Sequence, residues 1–191
     1  VDTKTGLVAT GSYLSGLGGL SLVAGVARAE ALQAQGVQDV ALKWPNDIVV
    51  NGHKLGGLLV EGGGEFAGPA RAVIGLGINV RMPPAFGAQI TQPWTDLTTL
   101  LGGEVSRNAA VTGLLAHLLP ALELFEQDGL APFLARYAAL DSLAGRAVRV
   151  EDGGAWHEGQ ALGLAEDGAL RVRIEGVERV FHAGEVSVRA Q

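Results

Sequence analysis

The chain contains no cysteine and little positive charge, and these absences exclude several classes of protein. Without Cys among its 191 residues it has no disulfide, no thiolate nucleophile and no Cys-based metal site. The 20 acidic against 14 basic residues give a formal net charge of -6, which argues against a general binder of nucleic acids or membrane surfaces. No uninterrupted apolar run is long enough to span a bilayer, and the N-terminal VDTKTG lacks a signal-peptide pattern. We therefore expect a soluble cytoplasmic protein.

Hydropathy and turn signals divide the chain into two regions. Apolar residues recur at helical spacing over residues 20–35 and 107–126, with strand-like runs between these segments. Residues 146–189 instead form short alternating runs separated by Gly or Asp-Gly, which is typical of a small barrel or sandwich. These patterns predict an α/β or α+β region over residues 1–141 and an all-β region over residues 142–191.

The segment KWPNDIVVNGHKLGG, residues 43–57, contains two of only three lysines in the chain. Its central Asn51-Gly52 predicts a tight hairpin, because both turn residues must accept a positive φ. The hairpin would return Lys54 toward Asp47, while Gly56 and Gly57 leave bare backbone for a close approach. This pattern favours an anion-handling pocket. The alternative is a pair of surface cations with turn-forming glycines.

A second glycine-containing strand, IGLGINV, covers residues 74–80. Gly75 and Gly77 interrupt an apolar run, which indicates a bulge or a close approach of a ligand to the backbone. A third glycine at dinucleotide-binding spacing is missing, so the segment is not that fingerprint. A strand of small residues packed under a helix explains the pattern equally well.

Taken together, these motifs resemble the biotin–protein ligases. The resemblance rests on KWPND, KLGGLLVE, GLGINV, a Trp in a Pro-containing loop, ALELFEQDGLAPFLARYAALD and EVSVRA, and it covers residues 20–189. It implies an α+β catalytic domain of the class II synthetase-like type, with a mixed β-sheet and flanking helices, over residues 1–141. It also implies a small SH3-like β-barrel over residues 142–191.

The resemblance implies an ATP-dependent reaction in two steps. Biotin and ATP, with Mg²⁺, would give biotinyl-5′-AMP and pyrophosphate, and the adenylate would then acylate one lysine of a biotin carboxyl carrier domain. Lys54 matches the lysine beside the biotin carboxylate and the α-phosphate, where a point charge stabilises the transition state. Asp47 matches a carboxylate on the Mg²⁺ side that also helps to position or deprotonate the acceptor amine.

Further site residues are carried over by position. The biotin-binding set is Lys54, Gly57, Leu59, Gly75 and Leu76. The ATP-binding set is Asn46, Asp47, Asn79, Trp94, Arg107, Asn108 and Arg189. Two of these residues have structural alternatives: Trp94 as an anchor for its loop, and Asn108 as a helix cap. Lys43 is a structural or phosphate-side cation. Glu185, like Arg189, resembles a C-terminal-domain residue that reaches back toward the active site, with an exposed charge on a strand as its alternative.

The chain also departs from the family pattern. The Ser/Thr-Asn segment and the Gly-Arg-Gly-Arg biotin loop are not found in it, and only LVAT stands between VDTKTG and GSYLS. Either these segments are missing from the sequence, which we favour, or the chain is a degenerate relative. A repressor domain ahead of the catalytic domain is also not found, so we expect no nucleic-acid binding by this chain.

Other classes of function stay open on the sequence. One is a non-catalytic biotin-binding or regulatory module, and another is a lipoate-type acyl ligase. The family includes both monomers and homodimers, so a homodimer is one of two expected states.

Overall fold

The computed structural model describes residues 3–11, 19–63, 70–83, 87, 90–183 and 186–190. For the strand residues 3–11, 63, 70–71, 186–187 and 190 it describes the backbone alone. The strands within these ranges are β1 (Thr3–Gly11), β2 (Val40–Lys43), β3 (Asp47–Val50), β4 (His53–Gly63), β5 (Ala70–Ile78), β6 (Ala147–Asp152), β7 (Ala155–Leu164), β8 (Leu170–Ile174), β9 (Val177–Phe181) and β10 (Val186–Ala190). The helices are α1 (Leu20–Ala34), α2 (Leu97–Leu101), α3 (Arg107–Asp128) and α4 (Ala131–Leu140).

The first sheet has the strand order β1-β5-β4-β3-β2, and helices cover one of its faces. Each ladder described in this sheet is antiparallel. Parallel pairing occurs among the described residues only as two isolated bridges, Leu42 with Asp141 and Lys54 with Trp94. The predicted α+β fold with flanking helices is therefore confirmed, with parallel pairing confined to those bridges.

Helix α1 forms the centre of the first core. Ala and Leu dominate its sequence and favour helix, and Gly36 just beyond its end has a φ of 94°, as the C-terminal glycine signal predicts. Ten of its residues are buried, including Val23, Val26 and Leu32. The helix packs against the first sheet on one side and against α3 and α4 on the other. In the part of the chain that the structure describes, the helices therefore contact one face of the sheet, and the groove described below lies on the other face.

Helix α3 begins at a cap that the sequence interpretation placed wrongly. Ser106 is the N-cap, and its Oγ accepts a hydrogen bond from the Ala109 amide at 3.3 Å. Asn108 lies inside the first turn, so capping does not explain it. By length and composition alone, α3 is also long and apolar enough to cross a membrane; 22% of its most apolar 18-residue stretch is buried in this fold.

The second sheet has the order β10-β6-β7-β8-β9, and its described pairings are all antiparallel. Its core is apolar, with Val148, Val150 and Val172 fully buried. Edge strands β9 and β10 are not paired with each other in the described part of the chain, so the predicted barrel is observed as an open sheet. The division at residues 141/142 stays a prediction.

Trp44 connects the two sheets. Its side chain is buried, and its indole Nε1 donates a hydrogen bond to Gly168 O, 3.1 Å away in the turn between β7 and β8. The Trp44–Pro45 peptide bond is cis. Close by, the Ser142 amide donates to Leu42 O at 2.8 Å. The KWPND segment is therefore held at the contact between the two regions, with Asn46 and Asp47 emerging from a fixed backbone.

Candidate active site

A β-bulge on β4 sets the direction of Lys54. Val49 pairs with Lys54 and Ile48 pairs with Gly56, so Leu55 is an extra residue on β4. In a regular strand, residues three apart point to opposite faces. Because the bulge adds one residue, Lys54 shares a face with Gly57, which lies opposite Asp47. The predicted Asn51-Gly52 turn precedes the bulge, with φ values of 49° and 77°.

Lys54 and Asp47 form an ion pair at the edge of a groove. Lys54 Nζ lies 2.6 Å from Asp47 Oδ1, with 30% and 19% of the two side chains exposed. A Cβ placed on Gly57 would lie 3.4 Å from the carboxylate and 3.7 Å from Nζ, so the glycine leaves room directly over the pair. The predicted return of Lys54 toward Asp47 is thus observed, and a ligand on Gly57 would contact both charges.

The groove has a volume of about 590 Å³, which suits a small-molecule ligand. Its floor is formed by β4 and β5, where Gly57 pairs with Gly77 and Leu59 pairs with Gly75. Leu59 is 59% exposed and supplies an apolar surface on this floor. The predicted site residues that line the groove are Asn46, Asp47, Lys54, Gly57, Leu59, Gly75, Leu76, Asn79 and Trp94.

The far wall of the groove is tied to Lys54 through its backbone. The Lys54 amide donates to Pro93 O at 2.9 Å, and the Thr95 amide donates to Lys54 O at 3.0 Å. Asn79 Nδ2 donates to Thr95 O at 3.1 Å. The Asn79 side-chain NH₂ group therefore holds this wall, which leaves its carbonyl oxygen as the group for the predicted nucleotide contact.

Trp94 has a structural contact as well as a place in the groove. Its Nε1 donates to Gly87 O at 3.2 Å, and a Cβ on Gly87 would overlap the indole ring. The alternative that Trp94 anchors its loop thus has direct contacts in the structure. Stacking of the ring on adenine stays a prediction.

Asp96 fixes the end of this wall. Its carboxylate accepts hydrogen bonds from the Met82 amide at 2.7 Å and from the Thr99 amide at 2.8 Å, the second as the N-cap of α2. Asp96 is only 4% exposed. Burial favours a higher pKa for this carboxyl group, but the hydrogen bonds and nearby Arg81 outweigh burial and hold its pKa below the usual value.

We expect Asp96→Ala to lower the free energy of unfolding by about 2–3 kcal/mol, because a cap and a second charge-assisted hydrogen bond are lost. The folded-state pKa is depressed, so the carboxylate stabilises the fold above the unfolded pKa and loses this effect as pH falls through the folded value. Urea unfolding from neutral pH down to about pH 2 would show the deficit shrinking in acid. Asp128→Ala, which removes an exposed carboxylate, is the control. If the stability lost in Asp96→Ala did not depend on pH, the stabilising role of the Asp96 carboxylate would be contradicted.

Some predicted residues lie outside the groove. Arg107 and Asn108 start α3 and are exposed, and Arg107 borders a separate small cavity with Leu76, Ile78 and Val80. Leu76 itself is 3% exposed, so its backbone rather than its side chain faces a ligand.

One of the two C-terminal candidates, Arg189, belongs to the second sheet. Arg189 on β10 is exposed, and its guanidinium carbon lies 5.2 Å from the ring centre of Trp156. Arg189 is therefore not among the residues that line the groove. Glu185 lies outside the described residues.

Arg28 is a site residue that the sequence interpretation missed. It lies in α1 with 1% of its surface exposed, and it donates to Gly57 O at 2.9 Å and to Gly77 O at 2.8 Å. Burial lowers the pKa of its guanidinium to about 10, while Asp47 acts in the opposite direction. The sequence did contain a signal for its burial, because Arg28 stands four residues after Ala24 and four before Leu32, on the apolar face of the helix.

Comparison with protein families gives two matches along the chain. Residues 17–139 match the biotin/lipoate A/B protein ligase family, and residues 144–189 match the biotin protein ligase C-terminal domain. The first match includes β2–β5 and hence the described groove from Asn46 to Trp94.

Curated relatives are similar over most of this chain. The bifunctional ligase/repressor BirA of Escherichia coli is 39% identical over 172 residues, which are 90% of this chain and 53% of BirA. The chain thus spans about half the length of this relative. A biotin–acetyl-CoA-carboxylase ligase of Paracoccus denitrificans is 30% identical over 173 residues, which are 87% of this chain and 71% of that protein.

Solved structures have the same fold. The biotin protein ligase of Aquifex aeolicus in complex with biotin and ATP superposes with a TM-score of 0.80, at 23% identity, over 98% of this chain and 79% of that one. The apo structure of the ligase from the same organism gives a TM-score of 0.79 at 24% identity, over 97% and 83%. With this fold, these family matches and these relatives, the chain belongs to the biotin/lipoate A/B protein ligase family and carries the biotin protein ligase C-terminal domain.

Proposed function

We propose that this chain contains the catalytic region of a biotin–protein ligase, which activates biotin with ATP and transfers it to a lysine of a biotin carboxyl carrier domain. The observation that carries the proposal is the Lys54–Asp47 ion pair, at 2.6 Å, over a glycine floor in a groove of about 590 Å³. Family membership supports the same reaction class. The E. coli and P. denitrificans relatives are named as ligases.

The groove offers different surfaces to the two ends of biotin. Leu59 and the bare backbone at Gly75 suit the sulfur-containing ring and the aliphatic chain of biotin, because they remove water without adding charge. Lys54 suits the carboxylate end, whose oxygen would attack the α-phosphorus of ATP as pyrophosphate leaves, and it suits the α-phosphate itself. Its ammonium group would stabilise charge that develops during adenylation, where preorganised cations have their largest effect.

Asp47 acts on two lysines in this proposal. As a hydrogen-bonded partner it fixes Lys54 Nζ in place before substrate binds. In the second step its carboxylate would accept a proton from the incoming lysine ammonium, which must be deprotonated before it can attack.

The residues present are compatible with Mg²⁺ brought in with ATP. No group of three or more His, Cys, Asp or Glu that could hold a metal occurs in the described residues. Mg²⁺ commonly binds through one or two carboxylates together with substrate phosphates, and Asp47 supplies one carboxylate beside the groove. Mg²⁺ would neutralise phosphate charge; Lys54 and the groove walls would orient the reacting groups.

The remaining assignments for the whole protein are also proposals. We infer a carrier-domain lysine as acceptor, a cytoplasmic location, no nucleic-acid binding by this chain, and either a monomer or a homodimer. Support for the acceptor comes from family membership and from the open groove, which leaves Lys54 30% exposed to an incoming amine.

Biotin-dependent exchange between ATP and pyrophosphate tests the first step directly. We expect the chain to catalyse exchange with Mg²⁺ and biotin together, and not when biotin is omitted. Tight biotin binding without exchange would sink the catalytic proposal and favour a non-catalytic binding module. If a chain supplied with a Gly-Arg-Gly-Arg loop also binds biotin without exchange, the lack of that loop does not explain the missing activity.

A lipoate-type ligase is the second candidate, because the family matched over residues 17–139 includes lipoate ligases. The C-terminal domain match at residues 144–189 favours biotin. Exchange measured with lipoate in place of biotin, and then with both acids in competition, separates the two. Faster exchange with lipoate than with biotin would make lipoate the proposed substrate, and the proposed reaction class would stay the same.

A further inference from the structure

Arg28 is buried, and no carboxylate of the described residues is in hydrogen-bond contact with it. Its side chain is 1% exposed, and its recorded hydrogen bonds go to two backbone oxygens, Gly57 O and Gly77 O. Its Nε lacks a hydrogen-bond partner in the described part of the chain. Burial of a cation has a large desolvation penalty. A neutral donor group could cross-link the two strands with a smaller penalty.

The guanidinium lies directly beneath the groove floor. Gly57 and Gly77 pair across β4 and β5 and line the groove, and Arg28 reaches their oxygens from α1 on the opposite side of the sheet. Gly56 makes this approach possible, because a Cβ there would overlap both Arg28 Nη2 and Gly77 O. The local sequence is therefore fitted to a cation at this depth.

Arg28 changes the charge balance of the site. Among the described residues that line the groove, the formally charged side chains are Asp47 and Lys54, which neutralise each other at 2.6 Å. Arg28 is the third formal charge at the floor, and it leaves the cluster at a net charge of +1. Water and salt screen a buried charge weakly, so its field acts on a ligand in the groove.

We propose that Arg28 is a positioning residue that gives the groove its net positive charge and thereby selects the carboxylate end of the ligand. The inference rests on the proposed function, and it explains why the groove would prefer a carboxylic acid as its ligand. Lys54 contacts the carboxylate, while Arg28 acts through the glycine floor and on the Lys54–Asp47 pair. A neutral ligand of the same shape would not benefit from this charge.

Binding of biotin and of its neutral amide, measured by calorimetry on the full chain, tests the role. We expect Arg28→Gln to weaken biotin binding by about tenfold, equivalent to about 1.4 kcal/mol, while binding of the amide stays unchanged. Arg28→Lys should keep the preference for the acid because it keeps the charge. Arg136→Gln is the matched control: Arg136 also contacts α1, through Glu30 at 2.9 Å, but does not line the groove.

The two possible failures give different results. A parent chain that binds neither ligand would overturn the proposed function and this role with it. Equal losses for acid and amide in Arg28→Gln, or an unchanged preference for the acid, would overturn the role of Arg28 alone. If Arg28→Gln does not fold, Arg28→Met replaces the side chain by apolar atoms of similar volume, and the same two outcomes apply.

Discussion

Replacing Lys54 by Ala is expected to lower the rate of biotin-dependent ATP–pyrophosphate exchange by about 100- to 1,000-fold, the usual cost of removing one preorganised group that stabilises a transition state. Lys54 Nζ lies 2.6 Å from Asp47 Oδ1, and its backbone is held on both sides by Pro93 O and the Thr95 amide. The substitution therefore removes charge from a position that the backbone keeps fixed. Exchange rates at saturating ATP and biotin measure the effect.

Two further variants identify the cause of this loss. Lys54→Arg keeps the charge but replaces a compact ammonium by a planar fork, so we expect it to restore only part of the rate. His53→Ala changes the neighbouring exposed side chain, whose Nδ1 contacts Asn51 O at 2.9 Å, and should leave exchange unchanged. If Lys54→Ala catalysed exchange at the parental rate, the proposed role of Lys54 in adenylation would be wrong.

Local signals explain which parts of the site the sequence could predict. Asn51 and Gly52 adopt the positive φ values that the dipeptide itself favours, so the hairpin follows from short-range sterics. The same holds for the end of α1 at Gly36. The glycines at residues 56, 57, 75 and 77 indicated a close backbone approach, and all four line the groove together with Leu59. Each of these features depends on a few neighbouring residues.

Features that depend on distant residues were missed or misplaced. The bulge at Leu55 requires β3 and β4 to pair out of simple register, which periodicity does not reveal. Arg28 donates to residues 29 and 49 positions away, so its contacts depend on how α1 crosses the sheet. Ser106 rather than Asn108 caps α3, and the helix begins two residues earlier than the capping interpretation of Asn108 requires. Arg107 and Arg189 match family positions in sequence but lie outside the described groove.

The second large effect is expected at Gly56. A Cβ at this position would overlap Gly77 O and Arg28 Nη2, and the first of these is backbone that cannot move without distorting β5. We expect Gly56→Ala to lower the free energy of unfolding by about 3 kcal/mol or more, the upper part of the range for overpacked cores. Biotin binding should weaken as well, because Arg28 and the floor would be displaced together. Urea unfolding and calorimetry measure the two effects.

Gly57→Ala is the matched comparison because its Cβ would point into the groove instead of the core. The nearest atoms would be Asp47 Oδ1 at 3.4 Å and Lys54 Nζ at 3.7 Å, both ordinary contact distances. We expect stability to stay within about 1 kcal/mol of the parent, while the added methyl group occupies the space over the ion pair and weakens biotin binding. Of these two adjacent substitutions, only Gly56→Ala would thus lower stability strongly, while Gly57→Ala would weaken binding with little loss of stability. Equal unfolding energies for the two alanine variants would contradict the assignment of Gly56 to the core side and Gly57 to the ligand side of β4.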